Sequence, residues 1–274
     1  MAIEKTLYVK KSGYNNILVT QRGSVRTLWS PRDVKQTEID MNNPHVPNLE
    51  YARNMLLSLA FVPNAISIAV MGLGGGSIPL ALLNILGGCS IDVVEIDEEM
   101  VYVAREFFNL PVSPRLSLVI DDAYHFLSNC GERYDAIILD AYIGRTMSEK
   151  IPTDDFLHKT ALRLADGGVL AVNLMSSDSK IYYDTLWTIG LNFNHLWTIE
   201  CECSRNVIVF AGRSKITPFS LAMNAQTIEQ AIAQNIRQNI GQAIGQNNSK
   251  TIRQSPPGTF KPSTLVHRLT YHGF

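Results

Sequence analysis

With 274 residues, 46% hydrophobic and 18% charged, the chain can bury one large core, or one core with a small appendage, and is too apolar to be disordered over most of its length. The net charge is −1 and there is no concentrated Lys/Arg run, which excludes nucleic acid and anionic membrane as implied partners and leaves a small molecule as the expected ligand. No apolar run reaches the roughly 18 residues of a membrane span, and residues 1–5 lack the long apolar region of a signal peptide, so a cytoplasmic protein is expected. Four cysteines, at 89, 130, 201 and 203, have no C-x-x-C spacing, and the six histidines form no H-x-x-x-H set; neither zinc nor a disulfide framework is indicated. Cys201 and Cys203, alternating with Glu202, are expected on one face of a sheet.

Taken in order, residues 6–9, 16–21 and 24–29 are short β-like runs separated by Gly13, Gly23 and Pro31, the pattern of antiparallel hairpins. Residues 36–49 are polar, carry Pro44 and Pro47, and predict an ordered loop. An apolar repeat through Tyr51, Met55, Leu56 and Leu59 has helical spacing and brings the chain to Pro63. Residues 1–60 thus read as a β-extension with a connecting helix, set before a main domain over 61–214 and a C-terminal part over 215–274.

The main domain is organised around one turn. Residues 66–71 are a short apolar run, as in a strand buried on both faces, ended by Gly72-Leu73-Gly74-Gly75-Gly76 and followed by a helix predicted over 79–86. Glycines at 72, 74, 75 and 76 leave no Cβ between the backbone and a ligand and tolerate positive φ. The free N–H groups of a helix starting near Pro79 would point back over the loop. A second strand over 91–94 ends in Glu95, about 20 residues past the glycines, where a βαβ nucleotide site holds ribose hydroxyls. The other reading of Glu95 is a cap on the next helix, whose first turn holds Asp97, Glu98 and Glu99.

A helix over 98–108 and a third strand over 116–120 follow, the strand ending in Asp121-Asp122. Asp122 is either the N-cap of a helix over 124–128 or a carboxylate bonded to an adenine amino group, and one side chain can serve both purposes. A fourth strand over 134–139 ends in Asp140. Ligands of open α/β sheets bind outside the carboxyl ends of the strands, so the glycine turn, Glu95, Asp122 and Asp140 should converge on one crevice, with residues 141–152 as a lid. Thr153 is the predicted cap of a helix through 164, and Asp166-Gly167-Gly168 turns the chain into a fifth strand over 169–174. A helix over 180–189 and strands over 196–201 and 207–211 complete the domain.

Five parallel strands finished by a hairpin describe an α/β fold of the class I S-adenosylmethionine-dependent methyltransferase-like (Rossmann-like) type, here with a small N-terminal antiparallel β-extension and a C-terminal helix. Val70-Met71-Gly72-Leu73-Gly74-Gly75-Gly76, Val94-Glu95-Ile96-Asp97, Ile120-Asp121-Asp122-Ala123 and Tyr134-Asp135-Ala136-Ile137-Ile138-Leu139-Asp140 resemble the successive motifs of spermidine synthase and its bacterial relatives, the polyamine aminopropyltransferases. The resemblance covers about residues 16–212, including the Gln36 and Tyr51 positions. It implies a transferase that moves an aminopropyl group from decarboxylated S-adenosylmethionine to an amine acceptor such as putrescine, leaving methylthioadenosine, with no metal and no tightly bound cofactor. By position it implies that Glu95 binds the ribose hydroxyls, Asp122 and Ala123 the adenine, and Gly72, Gly74, Gly75 and Gly76 the nucleoside and its sulfonium chain, with Gln36 on the same ligand. Asp140 would face the amine and accept its proton, with Tyr51 and Tyr142 beside the acceptor. A homodimer is implied as well.

The chain also departs from that pattern. The strand-four aspartate is usually followed by two small hydroxyl residues, a second aspartate and a proline; here it is followed by Ala141-Tyr142-Ile143-Gly144, and the acidic residues around Tyr51 are reduced to Glu50. The second acidic contact to a diamine is therefore missing, and Asp140-Ala141-Tyr142, followed later by Ile151-Pro152-Thr153-Asp154-Asp155-Phe156, resembles the divergent spermidine-synthase-like branch. Two other readings stand beside the first: a methyltransferase using intact S-adenosylmethionine on the same fold, and a non-catalytic nucleoside-binding homologue. Beyond the resemblance, Ile228, Ile232, Ile236, Ile240 and Ile244 predict a helix with one apolar stripe, packed on its own domain or paired with another subunit. Residues 247–274 read as an irregular tail with a strand over 264–269.

Overall fold

Alternating burial in the first forty residues builds a four-stranded antiparallel sheet from β1 (Glu4–Lys11), β2 (Asn16–Arg22), β3 (Val25–Trp29) and β4 (Lys35–Asp40), paired in chain order. The computed structural model describes residues 3–31, 33–143, 146–147, 151–230, 262 and 268–273. β4 replaces the first part of the loop expected from residue 36. Thr37 and Ile39 are buried while Gln36 and Glu38 are less so, a period of two that makes a strand, and Pro44 and Pro47 lie beyond its end. Ile17, Val19, Leu28 and Ile39 turn one face of this sheet into the main core. The connecting helix is two short ones, α1 (Glu50–Met55) and α2 (Ser58–Phe61), separated at Leu56-Leu57.

The alternation that follows is β5 (Ser67–Met71), α3 (Ser77–Ile85), β6 (Ser90–Glu95), α4 (Glu98–Phe108), β7 (Leu116–Ile120), α5 (Ala123–Asn129), β8 (Tyr134–Leu139), the short hairpin β9 (Tyr142–Ile143) and β10 (Thr146–Met147), α6 (Asp154–Arg163), β11 (Leu164–Met175), α7 (Ser179–Asn192), β12 (His195–Glu200) and β13 (Asn206–Gly212). With β14 (Thr270–Gly273), the strands lie in the order β14-β12-β13-β11-β8-β5-β6-β7. Neighbours from β11 to β7 run parallel, and β12 and β13 close the sheet antiparallel. This is the Rossmann-like arrangement expected from the sequence.

Two apolar layers sandwich the sheet. Ile68 and Val70 of β5 face the layer that includes α3, α4 and the N-terminal sheet; Ala69 and Met71 face the layer of α5, α6 and α7. Such two-sided burial is why the parallel strands read as continuous apolar runs. From β5 the chain moves outward through β6 to β7, then returns to place β8 on the other side of β5. The strand order reverses between β5 and β8, and a crevice opens at the carboxyl ends of strands flanking such a reversal.

Three expectations change at the C-terminal end. β12 stops at Glu200, so Cys201 and Cys203 sit in the connection to β13 and share no sheet face: Cys201 is buried and Cys203 exposed. The Glu50 carboxylate holds this connection by accepting N–H bonds from Glu202 at 3.0 Å and Cys203 at 2.9 Å, which draws Glu50 away from the crevice. A helix begins at residue 218, ten residues before Ile228, and Leu221, Ala225 and Ile228 pack into the main core. Ile232, Ile236, Ile240 and Ile244 lie outside the described residues, as does most of the strand expected over 264–269. The strand that is described, β14, pairs antiparallel with the β12 edge, where Tyr271 meets Trp197 with ring centroids 5.3 Å apart and its hydroxyl lies 2.8 Å from Nδ1 of His195.

Candidate active site

The end of β5 cannot continue straight, because β8 ends beside it and the next residue, Asp140, closes over the turn. A Cβ at Gly72 would lie 2.3 Å from the Asp140 carbonyl oxygen, and Gly72 has φ +97°. Only glycine meets both demands. Behind the turn, Thr37 of β4 accepts the Gly75 N–H at 2.9 Å, and a Cβ on Gly75 would meet the Thr37 side chain at the same distance. The N-terminal sheet thereby fastens the turn from outside the main domain. Helix α3 begins at Ser77, two residues before the expected Pro79; Pro79 falls in the first turn, where its missing N–H is one that would have no intrahelical partner. No side chain caps α3, and Ser77 and Ile78 line the cleft.

Glu95 is 8% exposed and spans the same turn: one carboxylate oxygen accepts the Leu73 N–H at 2.9 Å and the other the Asp97 N–H at 2.9 Å. Burial pushes its pKa up, and these backbone bonds pull against that shift. Capping of α4 belongs to Asp97, which accepts the Glu99 N–H at 3.1 Å and is itself held by Asn15 at 2.8 Å. Asp122 does cap α5, accepting from the Tyr124 and His125 N–H groups at 2.9 and 3.1 Å, and it also lines the cleft with Asp121 and Ala123. The capping reading of Asp122 is borne out, and the same residue stands in the cleft wall.

Asp140 sits across the cleft in a different setting. Its Oδ1 accepts Nδ2 of Asn173 at 2.8 Å, and the Tyr51 hydroxyl, which donates to the Gln36 carbonyl oxygen at 2.8 Å, lies against the same carboxyl group. Burial pushes the Asp140 pKa up to about 7; Asn173 and Tyr51 oppose the rise, and the charge of Glu95 adds to it. Tyr51 and Tyr142 are both pushed above the usual phenol value, by burial first and by the nearby Asp140 second. The Tyr142 hydroxyl donates to the Asn173 carbonyl at 3.1 Å, and Gln36 is anchored by its amide on the Ser30 carbonyl at 2.9 Å.

Gln36, Tyr51, Gly72, Gly74, Glu95, Asp122, Ala123, Asp140 and Tyr142 thus line one cleft, enclosing about 890 Å³ with solvent at its mouth included. Gly75 and Gly76 are not in its wall. Gly75 backs onto Thr37, and a Cβ on Gly76 would meet Leu110 at 3.2 Å. Sequence reasoning missed Asn15 and Thr37, which approach from the N-terminal sheet, and Asn173, whose only signal is one polar side chain inside the apolar run of β11. Among the described residues, every titratable side chain lining the cleft is a carboxyl or a phenol: Tyr51, Glu95, Asp121, Asp122, Asp140 and Tyr142. No cluster of three or more His, Cys, Asp or Glu able to hold a metal occurs among the described residues, and none of their helices is long and apolar enough to cross a membrane.

Residues 56–182 match the family model described as the spermine/spermidine synthase domain. The chain is 31% identical over 235 residues to a polyamine aminopropyltransferase of Vibrio vulnificus, an alignment covering 82% of this chain and 78% of that protein. Its fold is similar to the crystal structure of a probable spermidine synthase from Corynebacterium glutamicum, with a TM-score of 0.70 over 93% of this chain and all of the other at 19% identity. It is also similar to human methyltransferase-like protein 13 in complex with SAH, with a TM-score of 0.63 at 26% identity over 68% of this chain and 93% of the other. The identity shared with the Vibrio protein along most of both chains, with the matching motifs gathered in one cleft, shows that the chain belongs to the spermidine synthase family.

Proposed function

We propose that the chain is an aminopropyltransferase: it transfers the aminopropyl group of decarboxylated S-adenosylmethionine to an amine, with Asp140 as the carboxylate that faces the acceptor. The observation that carries this reading is the charge of the cleft, whose described titratable groups are all carboxyls or phenols. Decarboxylated S-adenosylmethionine brings a sulfonium and an ammonium and no carboxylate, so it complements such a wall, whereas the intact molecule adds an anion that must be desolvated there. Glu95 would take the ribose hydroxyls, Asp122 and Ala123 the adenine, and the Gly72–Gly74 side of the turn the sulfonium chain, with Gln36 alongside. Gly75 and Gly76 would then act by shaping the turn.

In the transfer, the amine lone pair attacks the methylene carbon bound to sulfur as the C–S bond breaks. The bond's electron pair goes to sulfur, and neutral methylthioadenosine leaves. The sulfonium already activates that carbon, so alignment of donor and amine is the main task of the protein. The attacking amine must be unprotonated, and the new ammonium must shed a proton. A carboxylate with a pKa of about 7 is better matched to this than an ordinary one near 3.8. Turnover should accordingly rise with pH through about 7, as Asp140 loses its own proton. Tyr51 and Tyr142 would flank the acceptor; the absent second aspartate favours an acceptor that needs only one charged contact. The family resemblance extends the proposal to a cytoplasmic homodimer.

Calorimetric titration with methylthioadenosine, decarboxylated S-adenosylmethionine and S-adenosylmethionine, each with and without putrescine, tests donor and acceptor together. Preference for the decarboxylated donor, with diamine binding enhanced by methylthioadenosine, is the expected result. Preference for intact S-adenosylmethionine with no diamine effect would replace the proposal with methyl transfer, and no nucleoside binding would overturn both.

A further inference from the structure

Behind the acceptor wall lies a polar chain outside the cleft lining. Asn173 sits in β11, 3% exposed, and its Nδ2 reaches Oδ1 of Asp140 at 2.8 Å. Its own Oδ1 accepts Nδ2 of Asn206, at the start of β13, also at 2.8 Å. In the antiparallel register Asn173 lies opposite Ile208, so Asn206 is its diagonal neighbour on the same face, within reach of a short amide. The backbone carbonyl of Asn173 accepts the Tyr142 hydroxyl, so one residue braces two acceptor-side groups.

The chain has a direction. An ionised carboxylate only accepts, so Asn173 must turn its NH2 group toward Asp140 and its oxygen toward the Asn206 NH2. A flipped Asn173 would set oxygen against carboxylate and NH2 against NH2, with little solvent access to relieve either contact. We infer that Asn206, outside the cleft wall, is a positioning residue that fixes the amide orientation of Asn173 and through it the hydrogen bond on Asp140. The inference rests on the proposed role of Asp140, and it adds a residue that no motif marks. Asp140 is also faced by Tyr51 from α1, Glu95 from β6 and Tyr142 from β9, so the amide is one of several influences on it.

Asn206→Asp is the sharp test, because a carboxylate at 206 claims the NH2 group of Asn173 and turns its oxygen onto Asp140. The titration midpoint of Asp140 is read by carbon NMR of the side-chain carboxyls, assigned with Asp140→Asn, so the readout stands even if no aminopropyl transfer is found. We expect Asn206→Asp to raise that midpoint by at least one pH unit and to move the acid limb of kcat/KM with it. The added charge acts on Asp140 without the amide too, so the same substitution is repeated in an Asn173→Ala background, where the rise should shrink by more than half. Asn206→Ala, which adds no charge, should give a smaller rise of about half a unit. An unmoved midpoint in folded Asn206→Asp or Asn206→Ala, or an equal rise with and without Asn173, would overturn the inference. A midpoint that moves as expected in an enzyme inactive toward every amine would instead count against the aminopropyltransferase reading alone.

Discussion

In the half of the cleft proposed for the donor the carboxylates are held by backbone: Glu95 by the N–H groups of Leu73 and Asp97, Asp122 by those of Tyr124 and His125. In the half proposed for the acceptor the Asp140 carboxyl is held by side chains from two other elements, Tyr51 of α1 and Asn173 of β11. Backbone donors are built into the turn and cannot be exchanged by substitution, so the donor half is rigid and tied to a short motif. Side-chain donors can be replaced singly. On the proposed assignment the acceptor half could change its amine while the nucleoside grip stays constant, which fits the departure at Ala141-Tyr142-Ile143 beside the retained glycine, Glu95 and Asp122 motifs.

The contrast breaks most completely where the halves touch. Gly72→Ala places a Cβ 2.3 Å from the Asp140 carbonyl at a φ of +97°, so the turn and the end of β8 cannot both keep their positions. Expected outcomes are a stability loss of about 3 kcal/mol or more in thermal unfolding and a fall in methylthioadenosine affinity beyond about 100-fold. Gly87→Ala serves as the control: nothing lies within 4 Å of a Cβ there, and the change should stay within about 0.5 kcal/mol.

Glu95→Gln tests the donor half alone. The amide keeps the shape of the carboxylate but turns an NH2 group onto either the Leu73 or the Asp97 N–H. Removing the charged acceptor proposed for the ribose hydroxyls should cost about 1.5–3 kcal/mol, or roughly 10–100-fold in nucleoside affinity by calorimetry. Unchanged affinity would show that the ligand ignores this end of the cleft. Asp140→Asn is the counterpart in the acceptor half: turnover should fall by at least about tenfold while methylthioadenosine affinity stays within about threefold. An equal loss in both would mean that the two halves are not separable.

The same division governs what could be read from the sequence. Gly72, Glu95, Asp122 and Asp140 were legible because each ends a strand, and topology alone sends the carboxyl ends of parallel strands to one crevice. Strand β4 was not, since two prolines downstream outweighed an alternation only six residues long. Thr37, Asn15 and Asn206 were invisible for another reason: each acts on a residue 33 or more positions away, through a contact that only the packed sheets create. Asp97 illustrates the residual ambiguity, because sequence placed an acid at the head of α4 but could not tell which of the neighbouring carboxylates caps it.

One more expected effect is on stability alone, which the half holding Asp140 gives up to keep a buried carboxyl. The Asp140 carboxyl titrates near 3.8 when unfolded and about 7 in the folded protein, so the native state binds the extra proton between those values. Stability from this group is then fully present below about 3.8 and declines as pH rises toward about 7, beyond which the penalty is constant. Asn at position 140 can still accept from Asn173 and can donate to the Tyr51 hydroxyl, so it keeps the contacts without the charge. Asp140→Asn should therefore unfold at a higher temperature than the wild type at pH 8, by about 2–4 °C for each kcal/mol of relieved burial, and the difference should vanish near pH 4. Taking the difference between the two proteins cancels the opposite slope from Glu50, whose pKa is lowered by the N–H bonds of Glu202 and Cys203 and by Arg268 against the effect of its burial. Equal unfolding temperatures at pH 8 would mean that Asp140 is solvated when ionised, and the raised pKa that suits it to accept a proton would go with it.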